Sequence, residues 1–587
     1  MCGIYGITIK DLDTIKKMVH ICAHRGPDGS NFYHNDFLTM GHNLLSITAS
    51  HPDDASQPWV SDRGNVLVFN GEIFNYHELL IRFKNQFIPK STCDTELLSW
   101  LLDNFSYEDV VSKIIDSMHA FAFYNKKNNE LVLSRDHVGI KPLYFSVNQK
   151  RLIFSSEIKG LIEFVDNSRK INRLALACTC FLGVNALRET MFSGIYKVLP
   201  GETIIYDLEK QNIKRTYNSI VHPKSNINFN SEEFENKTEK AIKNSTLGNR
   251  KFGMFLSGGI DSTLITSQLN NYINGIDTFT NHMDPSEIIG GDDLNSDAYA
   301  AKKFSKELKL NHHEVKITPE IISNYWTDSI KTIEEPVYNW NLPMYLYTNK
   351  YLSKKGIIVT MAGDVGDEIF GGYPKYFYLN NLKTPPRSWS EFISIWMKKF
   401  SAPVKLNLNF DINELHNVLL KALPESLFNP DDIANSAMAL DCITTVSEDF
   451  FKRNDRFGMR YSMEGRFPLS SKEYMEYCLS IKSKFKIGKT IKDTKLPVRQ
   501  TFKNLLPDYI LSKPKTGWGS PITAWIESQE ILKQKYLREM KEESPIDKII
   551  SSDNFKLNSN ELVQLRNKRS IVSWALKTWA KEFNMSL

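Results

Sequence analysis

The stretch KFGMFLSGGIDSTLI, residues 251–265, decides the fold. Its apolar run Phe252–Leu256 is short, uninterrupted and followed by glycine and serine, as in a strand buried on both faces. Ser257–Ser262 then reads as a glycine turn, and the residues after it as a helix with Ile260, Leu264, Ile265 and Leu269 on its inner side. Gly258 and Gly259 let the backbone approach an anion closely, and the amides of a helix N-terminus face it. Ser257 and Ser262 add hydroxyl donors. Asp261 would repel a phosphate, so Mg2+ is expected to bridge them. The loop lacks the lysine of GxxxxGK[ST]. A plain glycine turn is the competing interpretation, but strand, SGGxDS and helix in that order favour an anion cradle.

Outward from this stretch, apolar runs alternate with helical segments, as at TFTNHM (278–283) and IIVTMAG (357–363). That alternation predicts a doubly wound parallel sheet, followed by a mainly helical tail. The N-terminal part has a different grain. VLVFNGEIF (66–74), HAFAFYN (119–125), ELVLS (130–134), RLIFSSE (151–157) and ETIIYDL (202–208) read as strands, with a helix around DTELLSWLLDNF (94–105). Two sheet layers with helices are expected there. The polar, aperiodic NSIVHPKSNINFNS (218–231) marks the seam, giving domains 1–215 and 230–587, with Ser231 as N-cap of the next helix. DPSEIIGGDDLNSD (284–297) reads as a mobile loop.

The composition, 41% hydrophobic and 24% charged, is that of soluble globular protein. A net charge of +5 spread over 587 residues, with no basic block or basic–aromatic stripe, does not point to nucleic acid. No apolar run reaches the ~18 residues of a membrane helix, and early charges interrupt any signal peptide. Seven cysteines, an odd number, suit a reducing cytoplasm, and Cys178 and Cys180 read as packing.

The chain begins MCGIYG. With Met1 removed, Cys2 would carry a thiol and a free α-amine of pKa about 7.7–8.0, nucleophile and base in one residue. A buried terminal cysteine explains the same letters.

Two sets of motifs weigh against that second explanation. SGGxDS is the pyrophosphate loop of ATP pyrophosphatases, and with Cys2 the chain resembles glutamine-hydrolysing asparagine synthetases nearly end to end. HRGPDG (24–29), NGEIFNY (70–76), CDTELL (93–98), RDHVGIKPLY (135–144) and SSEIKGL (155–161) carry the likeness in the first part. In the second, it runs through HHEV (312–315), EEPVYN (334–339), AGDVGDEIFGGY (362–373), DRFGMRYSMEGRFP (455–468) and KPKTGWGSP (513–521). The resemblance implies an αββα N-terminal-nucleophile amidotransferase domain and a C-terminal ATP-pyrophosphatase domain. It implies that Cys2 attacks glutamine, that Asn70 and the Gly71 amide stabilise the oxyanion, and that Asp94, with Glu72 beside it, holds the α-ammonium. For ATP it implies Leu256, Ser257, Gly258, Gly259, Asp261, Ser262, Asn281, Ala362 and Gly363. It further implies Asp364 and Lys515 in adenylate formation, and Asp261 and Asp367 on Mg2+. Ammonia passing between sites calls for an apolar interface. The implied partners are glutamine or ammonia, ATP and a carboxylate acceptor, with room for a homodimer and with neither nucleic acid nor membrane.

Three departures stand out. In GHNLLSI (41–47), Leu44 replaces the family arginine that clamps the glutamine α-carboxylate, leaving Arg25 or Arg63 to compensate or glutamine to bind weakly. Ala362 and Val365 replace a serine and a glycine of the family loop, and Ser471 replaces an acid near the expected acceptor region. The leading expectation is amidation of aspartate through an acyl-adenylate. The alternatives are another carboxylate, such as a uronic acid in surface-polysaccharide assembly, and a nucleotide-binding pseudoenzyme.

Overall fold

Period-two burial builds the N-terminal part of the protein. A computed structural model describes residues 2–49, 52–224, 226–283, 294–400, 411–513, 520–550 and 563–587. One antiparallel sheet joins β1 (Gly3–Ile7), β2 (Gly29–His34), β3 (Thr39–Leu44), β8 (Tyr144–Asn148), β9 (Arg151–Ser155) and β10 (Tyr196–Lys197), in the order β10-β8-β9-β1-β3-β2. The other joins β4 (Trp59–Val60), β5 (Val66–Ile73), β6 (Ser117–Asn125), β7 (Glu130–Arg135), β11 (Glu202–Asp207) and β12 (Asn212–Asn218), in the order β12-β11-β7-β6-β5-β4. Ile4, Met40, Val66, Val68, Ala120 and Ala122 meet in one core between the sheets. Their neighbours point outward: Tyr5 packs under the helix Leu12–Ile21, and Leu67 and Phe69 under the helix Asp94–Asn104. The layers are therefore helix, sheet, sheet, helix, as expected.

The second part is a five-stranded parallel sheet of β13 (Phe252–Phe255), β14 (Asp277–Met283), β15 (Asn311–Ile317), β16 (Val359–Met361) and β17 (Glu464–Arg466), ordered β15-β14-β13-β16-β17. The strand order reverses between β13 and β16, and open α/β sheets bind ligands at such a switch point, beyond the strands' carboxyl ends. SGGIDS leaves β13 there and Ala362-Gly363-Asp364 leaves β16. Sequence reading found neither β15 nor β17. The helix Ile260–Leu269 is buried on every side rather than on one, because it is enclosed in the core. A mostly helical tail follows, ending in Val563–Glu582. Asn230, not Ser231, caps the helix Ser231–Asn244, its side chain accepting from the Glu233 amide at 2.9 Å. The expected loop at 284–293 lies outside the described residues. Among the described residues no helix is long and apolar enough to cross a membrane.

Buried ion pairs join the two parts. Arg25, held by Glu157 at 2.8 Å, donates to Asp455 at 2.8 and 3.0 Å, and Lys197 meets Glu448 at 2.8 Å. Leu45, Met118, Val138 and Ile140 share a continuous core with Met361, Ala362 and Phe467. The interface is thus apolar only in part, its charges tolerated because each has an opposite partner.

Candidate active sites

Cys2 precedes β1 on the same side as Ile4, at the end of the space between the two sheets. Its backbone nitrogen donates to Asn70 Oδ1 at 3.0 Å, and its sulfur faces the Leu45 carbonyl at 4.0 Å. Asn70, on β5, is fully buried, and its Nδ2 has no hydrogen-bond partner among the described residues. A buried amide donor with nothing to bond fits a site for an oxygen that develops charge. Along β5 the Phe69 amide donates to Gln57 Oε1 at 2.6 Å and the Ile73 amide to Asp94 Oδ2 at 3.0 Å. Alternation places the Gly71 amide on the same edge, between them. Gly71 is not in a turn. It lies within the strand, where a Cβ would sit 2.2 Å from the Met118 carbonyl oxygen of β6. Burial raises the thiol of Cys2 above its ordinary pKa.

Asp94 is the first residue of its helix, and burial pushes its carboxyl up to about 6. The Glu72 carboxylate meets Arg466 of the second part at 3.0 Å. Leu44 packs with Cys2, Cys93, Ala49 and Ala55 in a small apolar cluster. Neither expected substitute for the missing arginine serves: Arg25 is buried between Glu157 and Asp455 with its Nε on the Cys2 carbonyl, and exposed Arg63 bonds Asp103 and Asn104.

At the switch point, a cavity of about 340 Å³ is lined by Ser257, Gly259, Asp261, Ser262, Ala362, Gly363, Asp364 and Asp367, which the sequence analysis assigned to ATP, adenylate or metal. The hydroxyls of Ser257 and Ser262 lie 2.9 Å apart. Gly258 has φ +74°, and a Cβ there would meet the Asp297 carbonyl at 2.3 Å, so turn and close approach both require glycine. Leu256, Gly258 and Asn281 do not line the cavity; Leu256 and Asn281 are buried, the latter accepting from Thr348. Lys515 lies outside the described residues.

Lys495 places its ammonium between the carboxylates of Asp261 and Asp367. Among the described residues no three His, Cys, Asp or Glu side chains form a metal-holding group. The two aspartates expected to hold Mg2+ thus close on the Lys495 ammonium here. Lys495, Arg499 and Lys513 all line the cavity and escaped sequence reading. Lys495 is 234 residues from Asp261, a distance no motif spans. Ser471 sits at the domain interface: its hydroxyl donates to Asp116 at 2.5 Å, and it caps the helix Lys472–Ser480.

A thiol-bearing antiparallel sandwich joined to a parallel-sheet nucleotide fold defines a two-site amidotransferase. The chain belongs to the asparagine synthase family, which it matches over residues 233–581, and it matches a glutamine amidotransferase domain over residues 1–218. It is 23% identical to asparagine synthetase [glutamine-hydrolyzing] 3 of Bacillus subtilis over the whole of both chains. It is 28% identical to a putative asparagine synthetase [glutamine-hydrolyzing] 2 of Methanocaldococcus jannaschii, over 76% of this chain and 88% of that one. A solved allosteric regulatory enzyme of purine biosynthesis aligns at 12% identity, TM-score 0.30, over 55% of this chain and 81% of that one, too distant a likeness to bear on the site. The protein is a glutamine-dependent amidotransferase ligase.

Proposed function

We propose that the protein amidates a carboxylate, with aspartate to asparagine the leading case. Cys2 attacks the amide carbon of glutamine, Asn70 Nδ2 and the Gly71 amide receive the oxyanion, and Asp94 holds the α-ammonium. Ammonia leaves, and water later frees glutamate from Cys2. At the other site the acceptor carboxylate attacks the α-phosphorus of ATP, expelling pyrophosphate into the Ser257–Ser262 cradle. Ammonia then displaces AMP from the acyl-adenylate. Lys495 and Asp364, which line the cavity, face the charge that moves in these steps, and Lys515 is assigned the same task from its KPKTGWGSP motif.

The single observation that carries this proposal is the pairing of Cys2 with Asn70, whose outer amide is left unsatisfied. A uronic acid remains the second acceptor, because Ser471 and Val365 depart from the aspartate-using pattern. The test is AMP release on aspartate and on glucuronate, with Cys2→Ala alongside. The variant should lose glutamine-driven amidation and keep amidation driven by ammonium. Glutamine-driven synthesis surviving in Cys2→Ala, or ADP in place of AMP, overturns the proposal.

A further inference from the structure

The cavity at the switch point has lining residues besides the serine cradle and its lysines. Tyr345, Phe450, Arg453, Asn454 and Asp364 line it. Arg453 begins near the start of the helix Lys452–Met459, directly after a π-helical run, Cys442–Phe451, a winding often found at functional sites. Its side chain is only 5% exposed and is paired with Asp449 one turn earlier. The guanidinium carbon lies 4.2 Å from the ring centre of Tyr345 and 5.3 Å from that of Phe450, so the two rings fix its plane. Its Nε–H is buried and has no hydrogen-bond partner among the described residues.

A guanidinium carries five N–H donors in a fixed fork. Asp449 takes one of them, at Nη1. A buried charged donor left unmade is costly and marks a place where a ligand supplies the acceptor. The planar fork suits a planar, two-oxygen anion. For phosphate the cavity has its own cations in Lys495 and Lys513. Asp364, held by Asn454 Nδ2 at 3.1 Å, stands beside Arg453 and would repel a second phosphate more than it would a single carboxylate.

We propose that Arg453 is the acceptor-binding residue, holding a carboxylate of the acceptor against the Tyr345–Phe450 wall; this rests on the amidation reading above. Arg453→Gln and Arg453→Lys in the full chain test it, with aspartate and glucuronate as the two sources of carboxylate. Calorimetry gives the Kd for ATP, thermal-shift titration in the presence of ATP reads acid binding without turnover, and AMP release gives KM. Arg453→Gln should weaken binding of the acid the enzyme uses about tenfold or more, with the Kd for ATP moving less than about twofold. Arg453→Lys should fall between, since it keeps the charge and the Asp449 pair but loses the fork. If Arg453→Gln does not fold, Arg453→Lys alone decides by the same split. A rise in the Kd for ATP with unchanged acid binding assigns Arg453 to the nucleotide and overturns the proposal, as does unchanged binding of both. Wild-type protein that binds neither acid overturns it too. Acid binding without AMP formation supports Arg453 while counting against the amidation chemistry.

Discussion

At the scale of single residues, Leu44, Asp94 and Val365 carry the sharpest consequences. Leu44 gives the glutamine α-carboxylate no cation, and Arg25 and Arg63 are both engaged elsewhere. Leu44→Arg is expected to tighten glutamine about tenfold if ~1.4 kcal/mol of an ion pair is gained, measured as the KM of glutaminase activity. Unchanged or weaker binding means that other groups hold the carboxylate. Asp94, pushed up to about 6 by burial, is ionised above that pH and neutral below it. Only the ionised form attracts an ammonium, so glutamine affinity should fall about tenfold per pH unit below about 6 and hold steady above. Calorimetry on Cys2→Ala reads this without turnover, and Asp94→Asn should bind weakly with a flat profile. Val365, where the family has glycine, is 1% exposed at φ +81°. A β-branched residue there bears about 1–2 kcal/mol of strain. Val365→Gly deletes more buried surface than Val365→Ala yet should be equally stable, since glycine alone relaxes the backbone. Thermal unfolding that places the glycine variant well below the alanine variant would remove strain from the account.

At the scale of elements, β5 carries the residues on which the proposed glutaminase site depends. Its alternation sends Asn70 and Glu72 inward and leaves the amides of Phe69, Gly71 and Ile73 along one edge. Gly71→Ala would press a methyl group on the Met118 carbonyl and the His119 Cα, 2.2 and 2.9 Å from the new carbon. Strand β5 must then shift, at about 1–3 kcal/mol, and an oxyanion donor moves with it. Glutaminase turnover is expected to drop about 100-fold or more, with ammonia-driven synthesis retained. Comparable losses in both activities would mean general unfolding rather than a displaced amide.

At the scale of the whole molecule, Arg25 ties Cys2, the proposed nucleophile, to the second part through the Cys2 carbonyl, Glu157 and Asp455. Arg25→Ala takes the closest cation from Asp455, leaving it only Arg456 at 3.6 Å, while Glu157 keeps Lys159 at 2.7 Å, and it should cost up to about 3–5 kcal/mol in denaturant unfolding. Adding Asp455→Asn should return part of that loss. A single variant as stable as wild type would mean that water or a neighbouring cation already compensates those acids. Glu72, Ser471 and Lys472 are likewise committed across the boundary, so this seam is a built structure and not a loose linker contact.

The sequence by itself determined what local chemistry determines. The alternation of Val66–Phe69 and Ala120–Phe123 set the two-faced strands, and FGMFL followed by SGGIDS set a strand, a glycine turn and a helix. Motif order set the family and the likeness of Cys2, Asn70 and Asp94 to a glutaminase site. What only tertiary structure decided involves partners far apart in the chain, whose choice depends on burial rather than on neighbours. Glu72 meets Arg466, Asp261 and Asp367 close on Lys495, Ser471 reaches Asp116, and Arg453 lies among Tyr345 and Phe450 at the cavity wall. A charge in a low-dielectric interior must find its opposite wherever the fold brings one. Strands β15 and β17 were hidden for a related reason. HHEVKI and EGR have weak strand signatures and are held in the sheet by their pairing with β14 and β16.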